Sequence, residues 1–146
     1  MPDATLRYAQ LIASLKGRDY RLTPQRMALI RMVANSNEHP NATQLFEQIK
    51  VQFPTTSLAT VYKTLYLLKD MGEILEIGLR DDHHYDANRP YPHPHLICLN
   101  CNKILDADLE APIHTLVNEI EHFFDFQILR HQLIFYGLCP DCQKSN

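Results

Sequence analysis

The sequence contains no apolar run long enough to cross a bilayer, and its first ten residues lack the basic-then-apolar pattern of a secretory signal. Those absences set aside a membrane protein and an exported one, and a cytoplasmic chain is expected. Two enzyme signatures are missing as well. There is no His-Glu-x-x-His segment and no His-x-Glu upstream of Pro-Cys-x-x-Cys, so a metalloprotease or a zinc deaminase would lack its general base. Catalytic turnover is not expected. Positive charge is also short: 14 Lys and Arg stand against 17 Asp and Glu, for a net charge of -3. Taken whole, that balance argues against a nucleic-acid partner.

The charge is unevenly spread along the 146 residues. Residues 1–80 carry ten Lys and Arg against seven Asp and Glu, and residues 81–146 carry four against ten, so the halves stand near +3 and -6. A mildly basic half can present a local footprint to phosphates although the whole chain is acidic. Two domains with different partners are expected, over 1–85 and 86–146. With 45% hydrophobic residues, both have the material of a globular fold.

Four helices are predicted in the first half. One spans 5–16 and stops at Gly17; a second has Thr23 as cap and Pro24 at its first position. A third starts at Asn41, with Gln44 placed for a capping box, and is closed by Pro54. The fourth spans 57–71, with Leu58, Val61, Leu65 and Leu68 on the apolar side, Thr60, Tyr62, Lys63, Thr64 and Tyr66 on the other, and Gly72 as its stop. Such a polar face offers hydroxyls, a cation and aromatic rings to DNA phosphates and base edges, although any amphipathic helix has a polar face. A strand over 73–79, a turn at Arg80, Asp81 and Asp82, and a returning strand over 83–86 follow. Helices closed by a hairpin read as a winged helix-turn-helix.

Cysteine is scarce but regular. Cys98-x-x-Cys101 and Cys139-x-x-Cys142 are two knuckles separated by 37 residues. Paired thiolates at this spacing complete the tetrahedron that zinc prefers and leave no open coordination position, so a structural Zn2+, one per subunit, is expected. A redox role would need only one pair, near a βαβ unit. Between the knuckles a strand at Ile104 and Leu105, a helix over 110–124 and a long strand over 126–136 are predicted. Frequent apolar residues on both faces of that last strand point to a dimer interface. Just before the first knuckle, His93 and His95 would share one face of a strand, with Asp86 upstream and Asp106 downstream. Imidazole with carboxylate is a harder ligand set than the thiolate cage and suits manganese, ferrous iron or zinc.

The segments Arg21-Leu22-Thr23-Pro24-Gln25-Arg26, His39-Pro40 and Ser57-Leu58-Ala59-Thr60-Val61-Tyr62-Lys63-Thr64-Leu65 resemble the N-terminal signature of the ferric uptake regulator family in order and spacing. The resemblance implies an α+β chain: an N-terminal winged helix-turn-helix, then a small α/β dimerisation domain with a structural zinc site. It implies that the fourth helix reads DNA through Thr60, Tyr62 and Lys63 while Lys16 meets the backbone or minor groove. It also implies a regulatory metal site of His39, Asp86, His93, His95 and Asp106 holding one Fe2+ or Mn2+ per subunit. A homodimer on double-stranded, palindromic operator DNA would follow.

Asp rather than Glu at position 106 resembles the peroxide-sensing branch, in which a ligand histidine, here His39 or His93, is oxidised and the operator is released. The alternative is a regulator that reports iron or another divalent metal and ignores peroxide. A further family site is expected to be lost or remodelled, because Pro92-His93-Pro94-His95 lacks two of its ligands, although His131 stands at its family position. Asn102 replaces a common glycine after the second cysteine. His83, His84, His114 and His122 are left as solvated or partly packed.

Overall fold

A computed structural model describes residues 3–79, 82–87, 93–107 and 113–144. The chain divides into two compact units, Met1–Tyr91 and Pro92–Asn146. Among the described residues no helix is long and apolar enough to cross a membrane.

In the first unit, side chains that also serve as punctuation start each helix. Asp3 accepts from Thr5 N to open α1 (Ala4–Lys16), and Thr23 accepts from Arg26 N to open α2 (Pro24–Asn35), with Pro24 where no amide donor is needed. Asn41 and Gln44 form a reciprocal capping box at α3 (Ala42–Gln52), and Ser57 accepts from Thr60 N at α4 (Leu58–Asp70). Gly72, at φ 72°, takes the left-handed turn that releases the chain from α4, where a β-carbon would be strained. The chain then forms an antiparallel hairpin of β1 (Leu75–Leu79) and β2 (Asp82–Asp86). Of the predicted turn, Arg80 and Asp81 lie outside the described residues.

The faces of these helices meet in one core. Leu11 and Leu15 of α1, Leu29, Ile30 and Val33 of α2, Leu45 and Ile49 of α3, and Val61, Leu65 and Leu68 of α4 are all buried there. Two expectations for α4 fail. Leu58 is exposed, because the first helical residue lies beyond the edge of that core. Thr64 faces the core: its hydroxyl donates to Thr60 O at 2.8 Å, so the polar group is satisfied within its own helix. The wing is tied to α1 by a buried charge. Arg7 donates from Nε to Ala87 O at 2.5 Å and pairs with the Glu73 carboxylate at 3.3 Å, gripping both ends of the hairpin. Ser14 Oγ donates to the same carboxylate at 2.8 Å.

The second unit is built on a three-stranded sheet with β3 (His95–Cys98) in the middle, antiparallel to β4 (Ile104–Asp106) and parallel to β5 (Ile134–Gly137). Helix α5 (Ile113–Phe124) lies between β4 and β5 in sequence, and α6 (Pro140–Lys144) follows β5. Residues 110–112 of the predicted helix lie outside the described ones. The long strand expected over 126–136 is corrected to Ile134–Gly137: only these residues find ladder partners on β3, and an apolar run does not make a strand without a neighbour to pair with. Leu129, Phe135 and Tyr136 are exposed, as are Leu116, Phe123 and Phe124 of α5.

Candidate metal centres and the exposed face of α4

Strand pairing assembles the thiols. Cys98 ends β3 opposite Gly137 of β5, and Leu99 N donates to Gly137 O at 2.8 Å, so the first knuckle lies beside the chain that enters the second. The turn between Cys98 and Lys103 closes through Asn102 N to Cys98 O and Cys98 N to Lys103 O, both 2.9 Å. Asn102 sits at φ 62°, a left-handed conformation that asparagine tolerates better than most residues that have a β-carbon. Cys139 precedes α6 and Cys142 is in it.

All four sulfurs lie within 4.8 Å of one another, and Cys101 Sγ is 3.8 Å from Cys139 Sγ. A zinc–sulfur bond of about 2.3 Å gives a tetrahedral edge of about 3.8 Å, so the donor set fits that ion. Amide donors converge on the cluster: Cys139 N reaches Cys98 Sγ at 3.4 Å, and Asn100 Nδ2 reaches Cys142 Sγ at 3.2 Å. Backbone amides of Cys101 and Cys139 lower the Cys98 thiol to about 6. At Cys142 the Asn100 amide favours the thiolate, but the neighbouring sulfurs and desolvation outweigh it and raise the thiol to about 12. Crowded sulfurs without a cation divide in this way, because they cannot all carry negative charge together; a divalent ion removes that repulsion.

Each unit also brings imidazole and carboxylate together. In the first, the His39-Pro40-Asn41 stretch lies along β2: Tyr85 N donates to Pro40 O at 3.0 Å, and Asn41 bridges to His84. This places His39 Nε2 3.4 Å from Asp86 Oδ2, both side chains being buried. In the second, His95 and Asp106 are cross-strand partners on β3 and β4, and His93 approaches the same carboxylate. The Nε2 atoms of His93 and His95 stand 3.0 Å and 3.1 Å from Asp106 Oδ1, their rings 4.3 Å apart. Unprotonated, each group offers a lone pair to a divalent cation, the nitrogen and oxygen donor set of manganese and ferrous iron. Among the described residues His131 joins no cluster of three or more ligating groups.

On α4, Tyr62 and Lys63 are exposed and Thr60 is half-buried, with its hydroxyl 3.0 Å from Ser57 Oγ. The rings of Tyr62 and Tyr66 stack with centroids 6.4 Å apart. Lys16 is exposed in the last turn of α1. His84, expected to be solvated or partly packed, is partly packed, and its ring is engaged, with Nδ1 2.7 Å from His39 O. A signal was available, since residues 82, 84 and 86 share one face of β2.

A capped helical unit closed by a two-stranded wing, followed by a small unit with a four-thiol centre, defines a winged-helix regulator with a C-terminal dimerisation domain. The Ferric uptake regulator family profile matches residues 17–136. The chain belongs to that family and is a metal-dependent transcriptional repressor. It is 36% identical over 139 residues to the peroxide-responsive repressor PerR of Staphylococcus aureus, covering 92% of this chain and 90% of that protein. It has the fold of the Helicobacter pylori ferric uptake regulator Fur: the TM-score is 0.77 at 22% identity, over 97% of this chain and 94% of that one. PerR from Streptococcus pyogenes, a structure concerned with peroxide sensing and gene regulation, is 30% identical with a TM-score of 0.54, over 94% of this chain and 93% of that one.

Proposed function

We propose that this repressor senses peroxide. Asp106 carries the reading: its Oδ1 is faced by the Nε2 atoms of both His93 and His95, at 3.0 and 3.1 Å. A carboxylate one methylene shorter than glutamate would reach an ion less fully, and would leave a small oxidant room to approach it. Similarity to PerR at 36% identity supports the same reading. The residues that would hold one Fe2+ or Mn2+ ion are His39 and Asp86 of the first unit together with His93, His95 and Asp106 of the second. Cys98, Cys101, Cys139 and Cys142 hold a structural Zn2+, which protects them as thiolates.

An ion with ligands from both units stabilises whichever arrangement of the units satisfies them all, and it shifts the population by that differential affinity alone. In a cytoplasmic homodimer, that arrangement would set two α4 helices on the half-sites of a palindromic operator. Lys16, Thr60, Tyr62 and Lys63 contact the DNA. Ferrous iron held by these residues would supply the redox chemistry that cleaves a peroxide O–O bond, and the imidazole that is oxidised would return the electrons to it. The net change converts one imidazole C2–H of His39 or His93 to C2–O: one oxygen from hydrogen peroxide is added, the other leaves as water, and histidine becomes 2-oxo-histidine. The altered ring is a poorer donor, so the metal and then the operator are released.

The test compares operator binding by the manganese-loaded and iron-loaded dimers, with and without micromolar peroxide, followed by peptide mass spectrometry. Only the iron form should release DNA, with one oxygen gained on the peptide holding His39 or His93. Equal resistance of both forms would leave a repressor that reports metal availability alone.

A further inference from the structure

The alternating residues of β2 perform three linked tasks along one face. Asp86 meets the His39 ring, His84 meets the His39 backbone, and Asp82 meets both His84 and the cap of α3. His84 Nδ1 is 2.7 Å from His39 O. A carbonyl oxygen can only accept, so Nδ1 carries the proton and donates it. On the other side of the ring, Nε2 faces Asp82 Oδ2 at 3.3 Å, and that oxygen accepts from Asn41 Nδ2 at 2.7 Å. Asn41 is in turn held by its capping box with Gln44. The peptide 39–41 is thus gripped at His39 O by His84, at Pro40 O by Tyr85 N, and at the Asn41 side chain by Asp82.

That grip matters because of the conformation it holds. His39 has φ 52°, in the left-handed region that residues bearing a β-carbon rarely adopt and that persists only when the surroundings enforce it. The left-handed turn aims the imidazole at Asp86 Oδ2. Rotating φ to its ordinary negative range would swing the β-carbon, and the ring with it, away from that carboxylate.

We propose that His84 is a positioning residue for the regulatory metal, holding the ligand His39 in its left-handed conformation through the Nδ1–H to carbonyl hydrogen bond. The proposal rests on the reading of His39 as a ligand. His84 touches no ion itself. It reduces the number of conformations from which His39 must be recruited, and so raises affinity for the ion.

Calorimetric titration of full-length, zinc-loaded protein with Mn2+ alone tests this. His84→Ala should weaken Mn2+ binding about tenfold, the lower end of the usual cost of removing such a partner. His84→Asn, whose amide nitrogen can stand where Nδ1 stood, should restore most of the loss; His84→Gln, whose amide nitrogen falls nearer Nε2, should not. The melting temperature before manganese is added should be the same for the Asn and Gln variants. Wild-type affinity in His84→Ala, or equal affinity in the Asn and Gln variants, would overturn the proposal. If His84→Ala does not fold, the Asn and Gln pair decides alone. His39→Ala separates the two readings. Unchanged Mn2+ affinity in that variant removes His39 from the ligand set and takes the positioning role with it, whereas a loss there without one in His84→Ala refutes the positioning role only.

Discussion

The two units reach a folded state by different means. The first has an apolar core to which all four helices contribute, with each helix start capped by its own side chain. In the second, the buried apolar side chains among the described residues are Ile97, Cys98 and Ile104, and neither α5 nor α6 buries a residue. Its phenylalanines are on show: Phe123 is 76% exposed and Phe124 74%. So short a unit with so little core needs a staple and a cover; the four clustered thiols are placed to hold a metal staple, and the exposed apolar residues leave room for a cover. Stability in the first unit is therefore expected to rest mainly on its own packing, whereas in the second it is expected to vary with metal and with protein concentration.

The largest effect that separates the units is removal of zinc. Structural zinc contributes about 10 kcal/mol to folding in small zinc domains, enough to unfold the second unit outright. Cys98→Ser, or a strong chelator, should abolish the dimer in sedimentation and erase hydrogen-exchange protection over β3 and β5, while the helices of the first unit keep theirs. A soluble dimer in that variant would break the contrast. The reverse experiment is Leu65→Ala, at a buried position of α4. It should cost about 2–5 kcal/mol in denaturant unfolding of the first unit and leave zinc stoichiometry unchanged.

How much of this was legible in the sequence follows the same division. Caps and stops are local, so Thr23, Asn41 and Gly72 marked helix boundaries of the first unit correctly from residue type and spacing, whereas Ser57, read as the first residue of the fourth helix, is its cap. The knuckles were legible because two residues between thiols is a constraint of chain geometry. Non-local pairing was not. The apolar residues over 126–136 suggest a long strand, but only those opposite β3 become one. Thr64 was misplaced because its hydroxyl finds a carbonyl four residues back and can face the core. The contact of His84 with the backbone of His39 was not legible because the two residues lie 45 apart in sequence.

Intermediate effects probe what joins the first unit's own parts. Arg7→Met keeps the side-chain stem but removes the donors to Ala87 O and the Glu73 carboxylate. Hydrogen bonds from a charged group are worth about 1.5–3 kcal/mol, and the loss should appear in the unfolding midpoint together with faster exchange in β1 and β2. If the hairpin amides keep their protection while stability falls, Arg7 supports α1 and not the wing.

The smallest effect isolates a cap at α4, the helix proposed to face DNA. Ser57→Ala removes the oxygen that accepts from Thr60 N at 3.2 Å and lies 3.0 Å from Thr60 Oγ1. Losing such a cap costs about 1 kcal/mol, well within what the core of the first unit tolerates. Thr60 is one of the proposed DNA contacts, so fraying the first turn of α4 should weaken operator binding while manganese affinity of the free protein stays at its wild-type value. Ser57→Asp restores the cap oxygen and favours the helix dipole, yet adds negative charge where phosphates approach. It should recover stability and bind the operator still more weakly, with a loss that changes with salt concentration. Recovery of both stability and operator affinity would show that phosphates do not approach the start of α4, and would move the DNA contact further along the helix towards Tyr62 and Lys63.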